Sequence, residues 1–77
     1  DTEALVASAV GHAWEWTVPE SGLADARARF AVSSSLRRAD GIRLRIVSEQ
    51  SPGEGAAPVP PDLEDAYLWL LERHGAR

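Results

Sequence analysis

The chain has 77 residues, 12 acidic and 8 basic, with a formal charge of −4 and 44% hydrophobic content. That balance excludes a disordered chain and argues against a binder of nucleic-acid backbones. Cysteine is absent, which excludes disulfides and thiolate metal sites.

A chain this short is read as one domain over residues 1–77. A single small core supplies roughly 3–5 kcal/mol, so a partner surface is expected. His12 and His74 lie too far apart in sequence to form a spaced ligand set. No apolar run approaches the roughly 20 residues of a membrane span. Asp1-Thr2-Glu3 lacks the basic flank of a secretory signal, and no Met opens the chain, so a segment of a longer protein is expected.

Residues 1–10 form a leading helix, with Thr2 as its cap, Leu5, Val6 and Ala9 on one face, and Gly11 as its stop. His12 then reads as a solvated turn residue. Residues 13–18 form a strand in which Trp14, Trp16 and Val18 alternate with Ala13, Glu15 and Thr17, so both tryptophans are assigned to core packing. Pro19 ends it and opens a second helix over 19–28. Residues 30–36 give a second strand, whose serine run suits an edge. The segment 37–41 is a hairpin turn in which Asp40 and Gly41 take positive φ. Residues 42–47 alternate most clearly of all, with Ile42, Leu44 and Ile46 inward and Arg43 and Arg45 outward.

Residues 48–61 hold Pro52, Pro58, Pro60, Pro61, Gly53 and Gly55, and are expected to lack regular structure. The last helix covers 62–74. Asp62 is its cap with Asp65 at N3 in an imperfect capping box, Leu63, Ala66, Tyr67, Leu70 and Leu71 form its apolar face, and Gly75 stops it. The order predicts an α+β fold: a small ferredoxin-like sandwich built on a split β-α-β unit over 13–47. Its sheet would be three-stranded and antiparallel in the order 1-3-2, with the helices on one face.

Candidate chemistry is sparse. Asp62, Glu64 and Asp65 crowd a helix start, where they serve the dipole rather than acid–base catalysis. Ser33, Ser34 and Ser35 have no companion pattern for a triad. Gly53-Glu54-Gly55 lacks the third glycine and following helix of a phosphate loop. Arg37, Arg38, Arg43 and Arg45 form a basic cluster, either a solvated sheet face or a patch for an acidic partner. Trp69, at about 100° per residue, falls away from the apolar face and near Asp62, Asp65 and Glu72. It is an interface anchor or a half-buried edge residue. In the interface reading Asp62, Asp65 and Glu72 rim Trp69, and Arg43 and Arg45 of another copy supply complementary charge.

Two segments together resemble a known family. Gly11-His12-Ala13-Trp14-Glu15-Trp16-Thr17-Val18 is similar to the G-x-x-W-E-V-x-V strand that follows the nucleotide-binding domain in many ATP-binding proteins of ABC transporters. The segment from Pro60 to Leu71, with Leu63-Glu64-Asp65-Ala66-Tyr67-Leu68 at its centre, resembles the helix that ends those chains. Thr2-Glu3-Ala4-Leu5, Pro19-Glu20 and the Arg38-Ala39-Asp40-Gly41 hairpin fit the same order, while Trp16 replaces a smaller aliphatic residue.

The resemblance implies a non-catalytic C-terminal accessory domain of an ABC-2-type exporter ATPase of the drug-resistance kind. ATP and Mg²⁺ would belong to the parent chain, because this one has no phosphate loop. The expected partners are the nucleotide-binding domain in cis, a second copy and a membrane permease, with no nucleic acid. The expected location is the cytoplasmic side of the cell membrane. A small-molecule-sensing regulatory domain of similar topology is the competing reading, and Val18-Pro19-Glu20-Ser21-Gly22 is a poor version of the ligand loop it needs.

Overall fold

Every long element forms where the residue pattern changes period. The computed structural model describes residues 1–75 of the 77 in the chain. Helix α1 (Thr2–Ser8) leads into β1 (Ala13–Val18), and a 3-10 turn (Glu20–Gly22) runs into α2 (Leu23–Arg29). Strands β2 (Ala31–Arg38) and β3 (Gly41–Val47) form a hairpin, a short β4 (Ala57–Pro58) follows, and α3 (Leu63–Arg73) ends the chain. The fold is α+β, with an antiparallel sheet in the order β2-β3-β1-β4.

Two local expectations are corrected. Asp1, not Thr2, caps α1, accepting from the Ala4 amide at 2.7 Å. Asp40 keeps a negative φ, and Gly41 alone in the hairpin is positive, at 140°. Its missing side chain is needed, because a Cβ there would lie 2.5 Å from the Val18 carbonyl oxygen.

Residues 48–61 are more ordered than their composition predicts. Ala57 and Pro58 pair with Glu15 and Trp14, making the sheet four-stranded instead of three-stranded. The two β1 tryptophans fasten the rest of the segment. Trp14 Nε1 donates to the Ser48 carbonyl at 3.1 Å, and Trp16 Nε1 donates to the Glu54 carbonyl at 3.0 Å. Gly53 lies flat on the Trp16 ring, where a Cβ would approach Cζ2 to 2.6 Å. Pro58 is tolerated because β4 is an edge strand.

The helices occupy both faces of the sheet, not one. Alternation along β3 sends Ile42, Leu44 and Ile46 one way, where they join Val18 and Ala26 of α2, with Trp16, Leu23, Phe30 and Val32 at the margin. Val47 points the other way and joins Ala9, Ala66 and Trp69, with Leu5, Val6, Ala31 and Leu68 around them. Helices α1 and α3 therefore cover this second face. Two small cores share one sheet, and β3 feeds both because it is central and its side chains alternate. The single-faced ferredoxin-like arrangement is thus not the one observed.

Candidate functional site

The last helix is rolled relative to its expected orientation. Asp65, Ala66 and Trp69 are its buried residues, whereas Tyr67 is 55% and Leu71 52% exposed. Leu63 also faces outward. The cause lies at the helix start. Asp62 accepts from the Asp65 amide at 2.8 Å, and Asp65 Oδ2 accepts from the Asp62 amide at 3.0 Å, completing a reciprocal capping box. That box turns Asp65 toward the sheet, and Trp69, four residues on, follows it inward.

Asp65 is not a rim residue. Its side chain is 1% exposed, and Arg45 Nη2 donates to Oδ2 at 2.6 Å while Nε donates to the same oxygen at 3.2 Å. Ser33 Oγ donates to Oδ1 at 2.5 Å. Burial pushes the carboxyl up, but hydrogen bonds from Arg45, Ser33 and the Asp62 amide outweigh it and hold Asp65 below the ordinary carboxylate range. Donating to the Asp65 carboxylate raises Arg45 above its usual value. Arg45 also donates to the Pro60 carbonyl at 2.9 Å, fastening the end of the loop to the sheet. With both oxygens occupied, Asp65 is a structural anion rather than an acid–base group.

Trp69 is buried against α1 and is not an exposed anchor. His12 stacks on it with ring centroids 4.1 Å apart and an interplanar angle of 11°. His12 is thus a packing residue rather than a solvated turn residue, and its Nδ1 is buried without a hydrogen-bond partner among the described residues. Burial of Trp69 beside Ala66 leaves Tyr67 and Leu71 in solvent.

The other candidates are dispersed. Arg43 sits 4.0 Å from Glu15 on the sheet, and Glu72 is half-buried on α3. Arg37 pairs with Glu20 at 2.7 Å, and Arg29 with Asp25 at 3.3 Å. The proposed cluster of Trp69, Asp65, Glu72, Arg43 and Arg45 therefore does not form one exposed surface. Arg45 and Asp65 meet inside a single molecule, which removes them as charges for a partner.

What the fold does present is a cleft between the outer strand and the last helix. It has a volume of 260 Å³ and is lined by Val32 and Ser33 of β2 and by Glu64, Tyr67, Leu68 and Leu71 of α3. β2 is an edge of the sheet. A register shift between Val32 and Ser34 turns Ser33 toward α3, where it bonds Asp65. Leu36, farther along the same strand, is 55% exposed.

The sequence held a partial signal for this site. The Asp62/Asp65 spacing marked the capping box, but nothing local marked the bulge that turns Ser33 toward it. Among the described residues, no group of three His, Asp or Glu side chains could hold a metal ion, and no helix is long and apolar enough to cross a membrane. No family model matches the chain, and neither a curated protein nor a solved structure was found to match it.

Proposed function

We propose that the chain is a non-catalytic accessory domain of an ABC exporter ATP-binding subunit, acting by contact with a larger partner on the cytoplasmic side of the membrane. The observation that carries this reading is the outward row Leu63, Tyr67 and Leu71 on α3, the helix whose sequence resembles the end of such subunits. A helix that buries one face and leaves a second apolar row in solvent is built for contact. We read β1-α2-β2-β3-α3 as a variant of the split β-α-β unit in which α3 has crossed to the opposite face of the sheet.

In this reading ATP and Mg²⁺ are held by the nucleotide-binding domain of the parent chain, with the permease as a further partner. The test has two parts. The isolated chain should give no binding heat with ATP, and micromolar binding would overturn the proposal. In the parent subunit, Tyr67→Glu should change the ATPase rate while the melting temperature of the domain stays unchanged. An unchanged rate would refute the contact role. A ligand-sensing domain would instead gain thermal stability in a screen of amino acids and nucleotides, and such a gain would displace this reading.

A further inference from the structure

We propose that the cleft between β2 and α3 receives an extended segment of a partner protein that carries a cationic side chain and, two residues along, an apolar one. This rests on reading the outward side of α3 as a contact surface and supplies the partner's chemistry. It does not depend on the parent being a transporter subunit.

The cleft runs lengthwise between a strand and a helix. Ser33 of β2 bonds Asp65 of α3, and Ala31, two positions earlier, packs in the cluster around Trp69, four positions later. Two strand residues rise about 6.6 Å and four helix residues about 6 Å, so strand and helix keep step. A segment lying alongside β2 therefore presents every second side chain to α3 at the same spacing. β2 is a sheet edge of eight residues, and its outer backbone groups have no strand partner among the described residues. Those groups hold such a segment in extended form.

The walls set what its side chains must be. Glu64 and Tyr67 line one part of the cleft, three residues apart and neighbours on the helix surface. Leu68 and Leu71 line the next part, four residues on, and Val32 adds to the apolar lining. Glu64 makes no ion pair among the described residues, and Tyr67 is exposed. A guanidinium or ammonium group between them meets a carboxylate and an aromatic face together. The apolar side chain two residues along then meets Leu68 and Leu71.

Charge and size agree. Glu15, Glu20, Asp25, Asp62 and Asp65 already face arginines of this chain. Glu3, Asp40, Glu49 and Glu54 lie on other segments and do not line the cleft. The formal charge of −4 draws a cationic segment at longer range as well. The cleft volume of 260 Å³ is below the roughly 300–1,000 Å³ of small-molecule pockets, and it suits side chains delivered by a chain.

The experiment is an NMR titration of the isotope-labelled chain with a blocked seven-residue threonine peptide, arginine at its third position and leucine at its fifth. Saturable shifts should appear for β2 amides and for Glu64, Tyr67 and Leu68, while Val10, exposed away from the cleft, stays unchanged. Glutamate in place of the peptide's arginine should abolish binding, and serine in place of its leucine should weaken it about fivefold or more. Glu64→Gln should weaken binding about two- to fivefold, the range of an exposed ion pair, and added salt should narrow that difference. Tyr67→Ala should weaken it about tenfold. Glu64→Arg should reject the arginine peptide and bind the glutamate peptide. Circular dichroism melts confirm that each variant is folded. No saturable shift at millimolar peptide overturns the proposal, as does equal binding of the arginine and glutamate peptides or indifference to Glu64→Arg. A dimer in sedimentation velocity that occupies the cleft and excludes the peptide overturns it too. If the peptide fails while Tyr67→Glu still alters the ATPase rate, the contact role stands and this partner chemistry falls. If the peptide binds while the rate is unchanged, the cleft assignment stands and the transporter reading falls.

Discussion

Asp65→Ala would test whether one ion pair joins α3 to the sheet. The substitution removes the acceptor for Arg45 Nη2 and Nε, for Ser33 Oγ and for the Asp62 amide. Removing one partner of a buried pair costs about 3–5 kcal/mol when the other charge is stranded. Here Arg45 is 25% exposed, keeps the Pro60 carbonyl at 2.9 Å and has Asp62 Oδ2 at 4.0 Å, so partial rehydration brings the loss to about 2–3 kcal/mol. Losing half of the capping box adds about 1 kcal/mol. The total, about 3–4 kcal/mol, is close to the whole stability expected of a domain this size. At roughly 4–8 °C per kcal/mol, the melting temperature should fall by about 12–32 °C. Urea titration and thermal melts read this directly. Arg45→Met combined with Asp65→Ala should be less damaging than Asp65→Ala alone, since no unpaired charge remains. A single variant within about 0.5 kcal/mol of the parent would refute the reasoning, because it would mean the pair is solvated and α3 is held by apolar contact alone.

The same carboxylate sets an acid limit. Its folded-state value lies below the unfolded value of about 3.9, so its contribution is complete above that value and is lost as pH falls through it toward the folded one. Urea midpoints should therefore decline more steeply below about pH 4 in the parent than in Asp65→Asn. Trp69→Ala should cost about 3–5 kcal/mol and unfold the domain, whereas His12→Ala, which removes only the stacked ring, should cost about 0.5–1.5 kcal/mol. A folded Trp69→Ala variant would contradict the observed roll of α3. Gly53→Ala should push the Trp16 ring off its seat against Phe30, costing about 1–3 kcal/mol and shifting tryptophan fluorescence. An unchanged spectrum would show that the loop yields instead.

Local patterns in the sequence determined a large part of this fold. The alternation of Trp14, Trp16 and Val18 set β1, that of Ile42, Leu44 and Ile46 set β3, and the serine run of β2 marked an edge. These signals are legible because strand periodicity and turn residues act within a few positions of one another. The tertiary structure alone decided which face each helix covers. The stripe Leu63, Tyr67 and Leu71 is a valid helical face by spacing, yet it lies outward, because Asp65 pairs with Arg45, twenty positions away in sequence, and brings Trp69 in with it. The strand β4 and the fastening of residues 48–61 are equally non-local, resting on indole N–H bonds from β1 to carbonyls more than thirty positions distant. A buried ion pair and an indole bond have no period, so they leave no mark in the pattern, and their energy appears only when the chain has brought both partners out of water.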